Sequence, residues 1–109
     1  MGKRWKNAEE FRGAVDRWAG KVGVKVKEVH LRPMRTKWAS YSVKARRMTF
    51  DTGLLEVDRE FGEYVILHEV LHVKVPNHGK LFKSLMAALM EDWEMRKARI
   101  AEIQKKKMK

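Results

Sequence analysis

The amino-acid sequence predicts an α+β fold in which an N-terminal helix, a three-stranded and mainly antiparallel sheet, a buried helix and a long C-terminal helix share one core. Three observations lead there. Apolar residues recur every three or four positions in the first fifth of the chain and again after Asp58, as they do along one face of a helix. Between them, from Val22 to Phe50, apolar and polar residues alternate, as in strands. Turn-forming Pro33, Gly53, Pro76 and Gly79 punctuate the stretches. With 109 residues there is chain enough for one modest core, expected to span residues 1–104, and for a basic tail, 105–109, that frays.

Asn7 followed three residues later by Glu10 reads as a helix start, and Phe11, Ala14, Val15 and Trp18 then form an apolar stripe up to Gly20. The first helix is placed at about Ala8 to Ala19. Val22, Val24 and Val26 alternate with lysines or glycine, and after a slip of one residue Val29 and Leu31 alternate with His30 and Arg32. This predicts a strand with a bulge near Lys27 and Glu28, with His30 turned to solvent. A second strand follows from Trp38 to Val43, and a third around Met48 and Phe50 ends at Asp51-Thr52-Gly53. Three short strands with tight connections predict an antiparallel meander, one face on the helices and one open.

Asp58 is the expected N-cap of the next helix, with Glu60 and Glu63 near its positive end. Phe61, Tyr64, Val65, His68, Leu71, His72 and Val75 follow at helical spacing, so this helix should cross the middle of the domain. Pro76 disfavours helix at Val75, and Gly79 is free to turn, so the chain reverses there. From Lys80, the stripe Phe82, Leu85, Met86, Leu89 and Trp93 predicts a last helix reaching about Arg99, with Met86 and Met90 filling the core.

Composition narrows the chemistry. There are no cysteines, which excludes disulfides, thiolate metal sites and thiol catalysis, so a metal must be held by histidine and carboxylate. No apolar run approaches the roughly 20 residues of a membrane span, and no apolar segment follows the charges of Met1 to Lys6, so a cytoplasmic protein is expected. The net charge of +11 is uneven: residues 51–78 carry two Lys/Arg against six Asp/Glu, while both flanks are basic. The acidic middle favours a cation. The basic sheet, with Arg32, Arg35, Lys37, Lys44, Arg46 and Arg47 around Trp38 and Tyr41, and the basic tail make nucleic acid a candidate partner, although basic strands also guard against aggregation.

Three of the four histidines lie in the acidic stretch, as His68-Glu69-Val70-Leu71-His72 and, six residues on, His78. On a helix, His68 and His72 share one face and suit one metal ion. Two histidines and a glutamate inside an apolar helix are costly unless something satisfies them. His78, arriving after the proline turn, supplies a ligand from another direction and leaves one position open. An open position beside a carboxylate is the arrangement of a hydrolytic zinc site: Glu69 would activate a zinc-bound water and then protonate the leaving group. A bare HExxH pattern also occurs by chance, and core histidines often only donate hydrogen bonds. For the oxyanion, Tyr41, Asn77 and the nearby basic residues are candidates that sequence does not place.

Leu31-Arg32-Pro33-Met34-Arg35-Thr36-Lys37-Trp38-Ala39-Ser40, the run Tyr64-Val65-Ile66-Leu67 leading into His68-Glu69-Val70-Leu71-His72, and Pro76-Asn77-His78-Gly79-Lys80-Leu81-Phe82 resemble the YgjP-like metallopeptidase family, and more distantly SprT-like zinc proteases. The resemblance covers roughly Val26 to Trp93. It implies a minimal zincin-like fold, one zinc ion on His68, His72 and His78, Glu69 as catalytic acid/base, and a peptide or protein substrate. The family's usual Arg-Trp-Gly-Ser-Cys-Ser stands here as Lys37-Trp38-Ala39-Ser40-Tyr41-Ser42, and no cysteine zinc ribbon follows. Two other readings of the residues stay open: a nucleic-acid-associated module with a vestigial metal site, and a metal-dependent hydrolase of a phosphoanhydride.

Overall fold

The computed structural model describes residues 3–100 and 103. Its first helix, α1, spans Ala8–Val22, and Asn7 caps it, the side chain accepting from Glu10 N at 2.9 Å. Glu10 reaches back to accept from Lys6 N at 2.9 Å. The helix passes Gly20 without ending. Phe11, Ala14, Val15, Trp18, Ala19 and Val22 are all buried, so the stripe that packs it runs one turn further than expected. It stops at Gly23, whose φ of 84° is left-handed and whose N–H returns to Ala19 O.

Because α1 takes Val22, the first strand is shorter than the alternation suggests: β1 is Glu28–Arg32, and Val24 and Val26 lie in the preceding link, half-buried against the core. Strand β2 is Ala39–Ser42 and β3 is Arg47–Asp51. The order is β1-β3-β2, with β3 antiparallel to β2 but parallel to β1. The sheet is therefore mixed, which corrects the antiparallel meander. β3 is the strand with most to hide, since Met48, Phe50 and Asp51 are buried, and the central place covers both its edges.

The link that lets β2 skip a place is held by Asp51. Its Oδ1 accepts from Met34 N at 2.8 Å and its own N–H donates to Trp38 O at 2.8 Å. The register puts Val29, Leu31, Met48, Phe50, Ala39 and Tyr41 on the core side, and His30, Arg47, Thr49 and Ser40 on the open side. The Trp38 ring packs edge-on to Phe61, centroids 5.5 Å apart. Trp38 and Tyr41 are thus against the core, and neither offers a ring on the open face for stacking bases.

Helix α2, Arg59–Lys74, begins as expected at Asp58, whose side chain accepts from Phe61 N at 3.2 Å. It runs through the middle, touching α1, the sheet and both later helices. Side-chain links strap α1 along it, among them Trp18 Nε1 donating to Glu63 Oε1 at 3.0 Å and Lys74 Nζ donating to Val22 O at 3.1 Å. Near its start Trp5 lies over Gly62, buried and edge-on to Phe11.

The long C-terminal helix is in fact two, α3 (Lys80–Leu89) and α4 (Trp93–Ala98). Met90 leaves helical geometry, at φ −145° and ψ 92°, and its side chain is buried. That break turns α4 back across the start of α2, where Arg96 Nη1 donates to Glu60 O at 3.0 Å and Arg99 pairs with Asp58. The apolar stripe is therefore continuous in sequence but divided in space. The basic tail, 105–109, and the boundary at 104 lie outside the described residues. Among those described, no helix is long and apolar enough to cross a membrane.

Candidate metal centre

Helix α2 presents His68 and His72 one turn apart, their ring centroids separated by 4.6 Å. The helix ends at Val75, whose φ of −128° and ψ of 94° are extended, as a residue before proline prefers. The exposed link through Pro76 and Asn77 then carries His78 back over the same face. His78 Nε2 lies 3.0 Å from His68 Nε2 and 2.7 Å from His72 Nε2. Sequence reasoning brings these three together, and the structure does so.

Beneath them is a residue that the sequence assigns only to the core stripe of the last helix. The ring of Phe82 stands 5.4 Å from His68 and 4.8 Å from both His72 and His78, centroid to centroid, and is itself buried. Tyr64, one turn before His68, adds a ring at 5.9 Å. These two aromatic neighbours help to hold the imidazoles in orientation. The sequence signal for Phe82 was its place three residues after Gly79, in the first turn of α3, but its contact with all three rings is visible only in space.

The electrostatics suit neutral rings. Burial first, then the neighbouring His68 and His78, lower the pKa of His72, with Glu69 opposing. Loss of solvent first, then His68 and Lys97, lower that of His78; Glu69 opposes and Lys83 adds to the lowering. Glu69 itself is next to the cluster without belonging to it. Its Oε1 is 3.9 Å from His68 Nδ1, and its side chain is only 17% exposed.

The donor set fits a metal. An imidazole nitrogen has one hydrogen or one lone pair, never both, so His78 Nε2 makes no good pair of hydrogen bonds to two other ring nitrogens at once. A cation among three lone pairs satisfies all of them. Among the described residues, His68, His72 and His78 form the one group of three or more candidate ligands, with ligand atoms within 4.8 Å of one another. His30 is not part of it: it sits on the open face of the sheet, its Nε2 3.1 Å from Glu28 Oε1. Of the oxyanion candidates, Tyr41 is on the core side of β2 opposite Met48, and Asn77 is exposed in the link beside His78.

The model of the YgjP-like family, described as a metallopeptidase domain, matches residues 3–103. The chain belongs to the YgjP-like family. A curated relative, an uncharacterized protein of Methanocaldococcus jannaschii, is 36% identical over 59 residues, 51% of this chain and 54% of that protein. The chain thus spans about half the length of that curated relative. Two solved structures share the fold. The metallopeptidase zymogen jannalysin of M. jannaschii has a TM-score of 0.76 at 23% identity, over 84% of this chain and 94% of that one. The metallopeptidase zymogen abylysin of Pyrococcus abyssi has a TM-score of 0.74 at 21% identity, over 86% and 95%. Membership of a metallopeptidase family implies a metal, and the three clustered histidines are where an ion can be held.

Proposed function

We propose that this YgjP-like domain, residues 1–104, is a cytoplasmic zinc-dependent peptidase, with zinc on His68, His72 and His78 and Glu69 as the catalytic acid/base. The convergence of three imidazole nitrogens on one point beside a carboxylate carries this reading. An all-imidazole donor set suits zinc among the common divalent ions. When bound, zinc supplies a Lewis acid that acidifies a water molecule and polarises the scissile carbonyl. The Glu69 carboxylate takes the proton from the attacking water and delivers it to the departing amine as the peptide bond breaks. Phe82 keeps the three rings aimed while this happens.

Strand β2 offers the substrate its place. It lies at an edge of the sheet, paired with β3 on one side only, and an extended peptide can add to the other side through its main chain. The test is Glu69→Gln. It should leave zinc content unchanged and lower peptide hydrolysis by at least the roughly 10²–10⁴-fold that general acid/base catalysis contributes. A Glu69→Gln protein that cleaves peptides as fast as the parent contradicts the mechanism.

A further inference from the structure

Alongside the histidines is a cleft of about 250 Å³ to which the peptidase reading gives no occupant. Pockets for drug-sized ligands begin near roughly 300 Å³, so this one suits a single side chain better than a whole small molecule. Its walls are Trp38, Ala39, Tyr64, Val65 and Ile100, and His68 and Glu69 stand at its side. These walls are mostly apolar and are carried by well-supported parts of the fold. Trp38 is fixed by its ring contact with Phe61 and by the hydrogen bond from Asp51 N to its carbonyl. Ala39 opens β2, the strand beside which a peptide would lie, while Tyr64 and Val65 are one turn ahead of His68 and Glu69 on α2.

The cleft opens on a chain whose net charge is +11. The exposed Lys37 is the one lysine among the cleft's lining residues. Glu69 is the single acid among its lining residues. A basic peptide would meet Lys37 and the net positive charge of the chain as it approached, and an acidic one would be drawn in.

We propose, resting on the peptidase reading above, that this cleft sets specificity: it seats one large apolar side chain, of leucine or phenylalanine size, next to the scissile bond of an acidic peptide. Trp38 and Ile100 contact that side chain, Ala39 leaves the room for it, and Lys37 faces the acidic neighbours. Lysine or aspartate at the seated position would exchange water for apolar walls and is rejected.

The experiment uses the full chain with zinc added and a set of internally quenched peptides. The peptides share an aspartate-rich flank and differ at one central position, Leu, Phe, Ala or Lys; a second set has a lysine-rich flank. Hydrolysis is read with the parent protein, and binding is read separately with Glu69→Gln. Leu and Phe peptides with the acidic flank should bind at least about tenfold more tightly than the Ala peptide, the usual scale for apolar discrimination in a pocket. Ala39→Met should fill the cleft and remove that preference. Lys37→Glu, at an exposed position that does not test the core, should weaken acidic-flank binding by about fivefold and strengthen lysine-flank binding.

Equal binding whatever the central residue, no binding at all, or a preference untouched by both substitutions overturns the assignment of the cleft. Hydrolysis without the binding order does the same and leaves the peptidase reading standing. The binding order without hydrolysis by the zinc-supplemented parent has the opposite meaning: the cleft assignment holds and the peptidase reading falls.

Discussion

His78 and His30 are the same residue type put to opposite uses. His30 faces outward from β1 and meets a carboxylate, as its parity among Val29 and Leu31 implies. His78 has two imidazole nitrogens within hydrogen-bonding distance and no carboxylate at such range among its described partners. Replacing each by alanine should separate them. His78→Ala is expected to cost more zinc affinity than the roughly 10–100-fold lost when an outer-shell partner of a ligand is removed, and His30→Ala to leave affinity unchanged. Metal content after dialysis against a graded chelator reads the difference; equal retention by both variants would remove His78 from the ligand set. The clustering of His68, His72 and His78 was legible in the sequence because a five-residue helical spacing and a proline turn are local features. Phe82 was legible only as a core residue, since three rings converge on it from two elements.

At the scale of elements, local capping was readable and pairing was not. Asn7 and Asp58 cap their helices as their side chains dictate. The strand order was hidden because the decisive interaction is nonlocal: Asp51 holds the Met34 and Trp38 backbone from seventeen and thirteen residues away in sequence, and this lets β1 reach β3 in parallel. The break at Met90 was hidden because an unbroken apolar stripe looks the same whether one helix carries it or two.

The β1–β3 pairing has a titratable marker. Glu28 Oε1 is 3.1 Å from His30 Nε2 and its Oε2 is 3.8 Å from Arg47 Nη2, and the hydrogen bond with His30, then the charge of Arg47, hold its pKa below the ordinary 4.5. With the folded value below the unfolded one, the unfolded chain binds more protons just under pH 4.5. The contribution of Glu28 is present in full above that pH and is lost as pH falls through the lowered folded value. Carboxyl-carbon NMR should give a midpoint below 4.5, moving up in Arg47→Ala; a parent midpoint at or above 4.5 contradicts it. Helix α2 has a marker of another kind. A Cβ at Gly62 would stand 2.7 Å from Trp5 Nε1, and that ring is buried against Phe11 under the Arg59 guanidinium. Gly62→Ala therefore gains the roughly 1 kcal/mol of helix propensity that alanine offers but overpacks the core, typically at ~1–3 kcal/mol. Urea denaturation should show net loss of stability, and a more stable variant would mean that Trp5 is not held.

Over the whole molecule, charge and core are separate. The Cα radius of gyration is 13.1 Å, close to the ~13 Å of a compact chain of this length, although the chain carries +11. The core that withstands this repulsion is built around α2, with α1 strapped to it at Glu63 and Lys74. Two of the proposed ligands thus belong to the most restrained helix, while the third rides an exposed link between α2 and α3. Helix α2 carries two of the imidazoles, and the third meets them only by way of the exposed segment 76–79. A bound ion then acts as a cross-link that joins α3 to α2. Adding zinc should slow amide exchange from Asn77 into α3 and leave α2 before His68 nearly unchanged, and a chelator should reverse it; protection spread evenly over the chain would mean that the ion does not join the two helices at this point.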